Sequence, residues 1–577
     1  MAARVDVVSA LADARSRRNI KYYNALMSKF ARFGQLDAVE HAFRDIRNGG
    51  LVPNEYSYSI YLNTCTRSGA MDQCETILQE MHNDGIPVNE VHYTTLIKGH
   101  VSSTLGMAKA WEYFERMESE SPRIAPNIRT VNTMLRGCLY VGDLRGTKRL
   151  GRYIQKQGLL PDRATRDTLV RAACTSFKAK KLKRALSEHV PDGVGGLSVA
   201  AQVDLCVAYA LCGKYKRAAK VLDLVHQQDR QRGDPHGDGD RSGIARDGDG
   251  DGDHSGGGAA AGALATSVGS VRAFLQHPKP QRDAAVTRFR LDHVRRYPPV
   301  LSEASASASS PDGRTAAAQL EMASLFDEPS RPVKLEVGAG LGDWVILRAE
   351  AEPTVNWLAI ELRCDRACLI HAKAAMRGVT NLAVLAGDAH GIMASALPSN
   401  AVAEVHVNFP QPPQWYRSEA HLVNRTFLDE AWRILCRGGA FVMTSDCEPY
   451  VEAVTQRLAS DAEGLASKWQ PSFGAPPHYK THDAKDLRGH ESVFNQLWAA
   501  RGFTRRFQCK YYTKRLRNGG GSTPAVGTAV ATDEANVECP GGIMNAAAGM
   551  KKKRKHKETS SQRRKRARAK ASAAAAV

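Results

Sequence analysis

The feature that most constrains this chain is a period. Ile20–Asn54, Glu55–Asn89 and Ile128–Asp162 each run 35 residues; Glu90–Asn127 runs 38, with three extra near Glu118–Arg123. Near the start of each segment stands a recurring pair: Tyr23-Asn24, Tyr58-Ser59, Tyr93-Thr94, Val131-Asn132. Small or apolar residues follow at helical spacing, three segments break at Gly34, Gly69 and Gly142, and a second amphipathic stretch comes next. The four close on Pro53-Asn54, Val88-Asn89, Pro126-Asn127 and Pro161-Asp162. One helical hairpin cannot bury its apolar face alone, whereas stacked copies can, so the period predicts an all-α solenoid. A fifth, eroded copy begins at Arg163, and Val199–Gln227 supplies a sixth copy or a capping pair. The solenoid then spans residues 19–228, behind an N-terminal extension of residues 1–18.

The period and the Gly-x-x-Pro-Asn/Asp endings, as in Gly50–Asn54 and Gly158–Asp162, resemble pentatricopeptide repeats. The resemblance implies that each repeat reads one RNA base through its fifth and last residues. Those are Asn24/Asn54, Ser59/Asn89, Thr94/Asn127 and Asn132/Asp162. The family's code assigns them a pyrimidine (C preferred), A, A and U in turn. Short amides and hydroxyls suit the Watson–Crick edges of single-stranded RNA. Polar residues at helix starts also serve as N-caps, and a solenoid can equally bind protein.

Charge divides the chain unevenly. Of the formal +20, Lys551–Lys570 supplies twelve Lys/Arg against one acid, a net +11, leaving about +9 for the rest. Two basic clusters, Lys551–Lys555 and Arg563–Arg566, bind phosphate backbones without sequence preference and resemble a bipartite nuclear import signal. The expected compartment is the nucleus, with mitochondrion or plastid as the alternative. Residues 517–577 read as a disordered basic tail, and 229–270 as a linker with Gly-Asp alternation. Asp247–Gly252 imitates a calcium loop but has Gly258 where a bidentate Glu belongs, so it reads as low complexity. Residues 271–330 contain an Arg-rich helical segment and a second linker. The twelve cysteines form no CxxC pair, so reduced thiols and no metal site are expected. No apolar run reaches the roughly 18 residues a membrane helix needs.

From residue 331 to 516 strands and helices alternate, the pattern of a doubly wound, Rossmann-like α/β sheet. Strand one, Val333–Val337, runs into Glu336-Val337-Gly338-Ala339-Gly340-Leu341-Gly342-Asp343, where glycines let backbone pass close to a ligand. Strand two ends on Glu361, placed to accept both hydroxyls of a ribose. Strand three leads to Asp388, placed to receive an adenine amine, and strand four to Asn408. Three acids at successive strand ends, spaced 25 and 27 residues apart, form a far more specific constellation than the glycines alone. No dinucleotide-type third glycine opens the helix, so the expected cofactor is S-adenosyl-L-methionine, held by Glu336, Gly338, Gly340, Glu361, Leu362, Asp388, Ala389 and Asn408.

The same stretch resembles the bacterial-type tRNA (guanine-N7-)-methyltransferases over nearly its whole length. The matching residues run Leu335–Gly338, Ala359–Glu361, Asp388-Ala389, Asn408–Pro413, His421–Leu428, Arg437–Gly439, Ser445–Tyr450 and Arg488–His490. The resemblance implies N7-methylation of guanosine in the tRNA variable loop. It makes Gln411 and Asp446 the candidate catalytic residues, and Arg417, His421 and Thr481 RNA contacts. Where the family has an acid, Gln411 keeps a hydrogen bond and loses the charge. A chain that binds RNA without transferring a methyl group is therefore the alternative, as is a methyltransferase whose solenoid binds protein. RNA, tRNA foremost, is the expected partner, with room for a protein subunit and none for a membrane.

Overall fold

The computed structural model describes residues 6–101, 106–120, 122–232, 267–295, 322–411, 421–473, 478–483 and 505–514. The Gly-Asp run, Arg417, Arg488–His490 and the basic tail lie outside these residues.

The repeats fold as helical hairpins at the expected phase. They are α2 (Ile20–Arg32) with α3 (Leu36–Asn48), α4 (Glu55–Arg67) with α5 (Met71–Asn83), α6 (Glu90–Val101) with α7 (Met107–Ser119), and α8 (Ile128–Val141) with α9 (Leu144–Gln157). The eroded fifth copy is α10 (Arg163–Cys174) with α11 (Ala179–His189), and the sixth is α12 (Val199–Leu211) with α13 (Tyr215–Arg232). Tyr23, Phe30, Tyr58, Tyr93, Phe114 and Met134 lie buried between layers, so each repeat completes its core only through its neighbours. The N-terminal extension adds a further helix, α1 (Val7–Arg17), capped by Asp6, which buries Leu11 and Ala14 and pairs Arg15 with Asp45 of α3 at 2.7 Å. It closes the open end of the stack.

The second half is the expected doubly wound sheet. Strands β1 (Val333–Val337), β2 (Asn356–Glu361), β3 (Leu382–Ala386), β4 (Val402–Asn408) and β5 (Leu435–Ser445) are parallel, and β8 (Arg505–Thr513) returns antiparallel against β5. With β6 (Trp469–Pro471) at the edge the order is β3-β2-β1-β4-β5-β8-β6, and β7 (Lys480–Asp483) pairs with β8. Helices α16 (Asp343–Ala351), α17 (Cys364–Met376), α18 (Ala389–Ser395), α19 (Arg425–Ile434) and α20 (Glu448–Leu458) flank it. The strand order reverses around β1 and β4, so the ligand crevice opens at their carboxyl ends.

The two halves are not strung on a loose tether, as the length of residues 229–270 suggests. A helix over residues 267–276 (α14) and α15 (Lys279–Arg295) bring Val271, Phe274, Val286 and Phe289 into one apolar cluster with α12 and with Ala372 and Met376 of α17. The Arg-rich segment predicted at 271–297 is thus a packing element. Apolar residues at helical spacing gave its structure, but nothing in its sequence names the surface it covers.

Gly142, the αL cap of α8, lies against the start of α17. A Cβ there lies 2.6 Å from Cys364 Sγ, whereas one at Gly158, in the same backbone conformation, meets nothing within 4 Å. Replacing Gly158 by Ala costs only the left-handed penalty, about 1–2 kcal/mol. Gly142→Ala adds overpacking worth about 1–3 kcal/mol more. Chemical denaturation of the two variants checks the difference.

Candidate functional site

Glu336, Glu361, Asp388 and Asn408 sit at or just past the carboxyl ends of β1, β2, β3 and β4, as parallel pairing demands. Glu336 is 3% exposed. Asn408 Nδ2 donates to its Oε1 at 2.9 Å, while Glu336 Oε2 and Asn408 Oδ1 are buried with no protein partner. Burial pushes the Glu336 carboxyl up to about 8; Asn408 pulls against this, and the nearby Glu361 and Asp343 add to it. A buried carboxyl with one open oxygen binds either a proton or a cation. The cationic sulfonium and ammonium of S-adenosylmethionine fit that demand.

Glu361 is organised differently. Its Oε2 accepts the Gly340 N–H at 2.7 Å and its Oε1 the Arg363 N–H at 3.1 Å. Gly340 reaches this position at φ +60°, a conformation glycine adopts freely. Burial raises the Glu361 carboxyl, with Arg366 and the two N–H groups opposing. Each oxygen keeps a second lone pair, so both can still receive a ribose hydroxyl. Leu362 follows, 40% exposed, as an apolar wall. Asp388 caps α18, its Oδ2 accepting the Gly391 N–H at 2.8 Å. A hydrogen bond from His390 keeps its carboxyl below the usual range, and Ala389 is buried behind it.

On the other side of the crevice Phe409 adopts φ +51°, rare for a side chain of its size, with its N–H on Thr444 O at 2.7 Å. Strain of this kind persists where surroundings enforce it, commonly at ligand sites. The turn carries the chain past buried Pro410 to Gln411, which is exposed. Asp446 follows β5 and is half-buried, and Thr481 lies exposed on β7 opposite Phe507. His421, which the resemblance makes an RNA contact, is 8% exposed and packs edge-on against Tyr450 at 5.9 Å. Arg506 was not foreseen. It is fully buried, with its guanidinium 5.5 Å from the Phe409 ring centroid. Burial lowers its proton affinity, and the fields of Asp446 and Asp483 oppose this. It hides in the alternation of β8, where an Arg reads as a solvated position.

The repeat pairs form a regular ladder. Asn54, Asn127 and Asp162 are N-caps of α4, α8 and α10, and Asn89 accepts from Val91 N–H and His92 N–H at the start of α6. The fifth residues lie inside helices and are not caps. In every repeat the residue three past the closing Asn or Asp bridges the pair. Ser57 Oγ donates to Asn24 at 2.7 Å, Ser59 meets His92 at 3.0 Å, Thr94 meets Thr130 at 2.7 Å, and Thr165 donates to Asn132 at 2.7 Å. Asn24/Asn54 and Asn132/Asp162 also touch directly. Ser59/Asn89 and Thr94/Asn127 are joined only through the bridge, because Asn89 and Asn127 donate to Glu55 and Glu90. The bridging residues were missed in sequence, although the capping-box spacing marks them. Ser59, Thr94 and Asn132 keep part of their surface, whereas Asn24 is buried. Tyr56 and Val91, beside the ladder, are 59% and 57% exposed.

Charge on the second helices rises toward the sheet domain. Helix α5 carries three acids and no Lys/Arg, α9 five Lys/Arg and no acid, and α11 four Lys/Arg against Glu188. Lys148, Lys180 and Lys183 are exposed.

A Rossmann-like methyltransferase domain packed on a pentatricopeptide-type solenoid is what this fold and crevice define. Residues 330–473 match the model of a putative methyltransferase family, residues 12–67 and 76–138 that of the pentatricopeptide repeat domain, and 56–86 a single such repeat. The tRNA (guanine-N(7)-)-methyltransferase of Chlamydia trachomatis serovar D is 32% identical over 187 residues, 32% of this chain and 77% of that protein. The enzyme of the same name from Aeromonas hydrophila is 32% identical over 177 residues, 30% of this chain and 72% of its own. A pentatricopeptide repeat protein solved with an 18-nucleotide RNA element aligns at 19% identity and a TM-score of 0.28, over 36% of this chain and 28% of its own. The chain belongs to the tRNA (guanine-N(7)-)-methyltransferase family.

Glu336 sets a pH dependence. Its carboxyl is raised from an ordinary 4.5 to about 8, so its contribution to ligand-free stability is complete below about 4.5 and is lost as pH climbs through 8. A bound cation favours the ionised form. The gain in unfolding temperature on adding S-adenosylmethionine therefore grows from pH 6 to 8.5, and binding near pH 7 releases a proton; Glu336→Gln removes both effects. Differential scanning fluorimetry and calorimetry in two buffers read them.

Proposed function

We propose that this chain transfers a methyl group from S-adenosylmethionine to guanine N7 in RNA, with the tRNA variable loop as target, while the solenoid holds an adjacent single-stranded segment. The observation that carries the reading is the open, buried Glu336 carboxyl beside Asn408, one strand from Glu361. Glu336 and Asn408 would hold the cationic end of the cofactor, Glu361 its ribose, and Asp388 with Leu362 its adenine side. When bound, the cofactor supplies an electrophilic methyl group on sulfonium.

Guanine N7 carries a lone pair and no proton, so the displacement needs no general base. What the protein supplies is alignment of N7 with the methyl carbon and compensation as the purine becomes positive. Gln411, on the exposed turn after Phe409 and Pro410, offers a hydrogen bond for alignment. Asp446 supplies the negative charge that Gln411 lacks, and Thr481 stands on β7, across β8 from the end of β5. Residues Asn24, Ser59, Thr94 and Asn132, with their closing partners Asn54, Asn89, Asn127 and Asp162, would read bases. The basic tail is assigned to nuclear import and added RNA affinity.

The deciding experiment incubates the full chain with labelled cofactor and total RNA and maps the modified nucleotide. N7-methylguanosine in tRNA is the expected product; label on protein, or on nothing, overturns the reading. Asp446→Asn lowers kcat by about ten-fold or more, in the range of lost electrostatic stabilisation. The rising charge of α9 and α11 makes a separate prediction. Changing Lys148, Lys180 and Lys183 to Gln flattens the slope of log affinity against log salt by about 2, at about 0.7 per phosphate contact on single strands. An unchanged slope assigns those helices no RNA contact.

A further inference from the structure

The methyltransferase helix that meets the solenoid is α17, and it starts three residues after Glu361. Its N-cap residue, Arg363, faces two ways. The backbone N–H holds Glu361 Oε1 at 3.1 Å. The side chain turns outward, with Nε 3.1 Å from Asp365 Oδ1, Nη2 2.7 Å from Asp365 Oδ2, and the guanidinium carbon 3.9 Å from the ring centroid of Tyr140 on α8. Asp365, its side chain 6% exposed, takes a second guanidinium from Arg171 on α10, through Nη2 at 3.3 Å. Arg171 Nε is meanwhile fixed by Asp204 of α12 at 2.7 Å. A continuous path thus runs from three solenoid helices to the carboxylate assigned to the ribose: Asp204, Arg171, Asp365, Arg363 with Tyr140 stacked on it, then Glu361.

Adhesion alone does not call for such a cluster. Val170 and Cys174 of the solenoid already share an apolar core with Ala372 and Met376, and Gly142 lies against Cys364. Withdrawing two arginines and two aspartates from water is costly, and a balanced cluster of this kind returns geometry more than stability. The geometry returned here is that of the Leu362-Arg363 segment. Only one backbone N–H on each side holds Glu361, and one of the two belongs to the residue the solenoid grips. Without the grip, Arg363 has only the neighbouring Asp365 to orient it. Both burial and the competing pulls of Arg363 and Arg171 act on Asp365, and the arginines prevail to keep it ionised.

We propose that Arg171 and Tyr140 are positioning residues for the cofactor site: by clamping Arg363 the fourth and fifth repeats hold Glu361 in its ribose-accepting orientation. This rests on Glu361 binding the cofactor ribose. It makes the solenoid part of the cofactor site as well as an RNA reader. By thermodynamic reciprocity, an RNA that tightens these repeats also tightens cofactor binding.

The test uses the full chain without RNA. Arg171→Met raises the dissociation constant for S-adenosylmethionine about ten-fold, within the range of coupling energies carried by such networks. It raises KM for the cofactor in step, and leaves kcat at saturating cofactor within about two-fold. Arg171→Lys restores only part of the affinity, because one ammonium cannot span Asp204 and Asp365 as the guanidinium fork does. Tyr140→Leu, which leaves both ion pairs in place, gives a smaller rise in the same direction and serves if Arg171→Met does not fold. A lower unfolding temperature with unchanged cofactor affinity in both variants overturns the proposal and reduces the cluster to interdomain glue. Glu361→Gln separates this from failure of the ribose assignment. If that variant binds cofactor normally, the assignment itself is wrong, and the clamp falls with it.

Discussion

The methyltransferase half depends on burying two carboxyl groups at the ends of two adjacent parallel strands. Glu336 and Glu361 stand on neighbouring strands, both almost sealed from water, and Glu361 adds to the cost that burial sets on ionising Glu336. Such an arrangement is tolerable only where backbone N–H groups, an amide or a ligand cation compensates. Glu361 obtains its compensation from Gly340 and Arg363, which explains the glycine at that turn and the abrupt start of α17. Glu336 has only half of its compensation, from Asn408. The deficit is chemical information: it states the sign of the ligand the crevice was shaped for.

Much of this was legible in the residues. The period of the repeats gave the solenoid, including the eroded fifth copy and the helix pair after it, because core spacing must recur for stacking to work. The strands β1 to β5 and the acids at their ends were legible because buried parallel strands read as short apolar runs ended by glycines or acids. What could not be read were contacts set by three-dimensional neighbours. His421 looked like a surface base and lies buried against Tyr450. Arg506 carried no signal in the sequence and lies buried beside Phe409. The bridging Ser57, His92, Thr130 and Thr165 stand at capping-box spacing, which marks their caps but not the bonds they make across to the fifth residues of the preceding repeat. The docking of α8, α10 and α12 on α17 left no local trace, because Tyr140, Arg171 and Asp204 are ordinary helix residues until a second domain is set beside them.

The ladder also reconciles two roles that compete in sequence. The closing Asn or Asp of each repeat caps the next helix and joins the pair proposed to read a base, and the bridging residue lets one side chain do both. The cap holds the closing residue still, and the bridge passes that rigidity to the fifth residue. Little side-chain entropy then remains to be lost when a base arrives.

The close approach of Gly142 to Cys364 bears on how such a protein can be rebuilt. Among the described residues, repeats one to three build their core with neighbouring repeats, so they are the interchangeable parts: their pairs can be rewritten, or whole copies inserted, with least disturbance to the catalytic half. Repeats four and five are not modular in this sense, since their turn glycine, Tyr140 and Arg171 fit one partner surface. A reader with new sequence preference is therefore best grown from the amino-terminal end, with the last two repeats retained as a fixed adaptor.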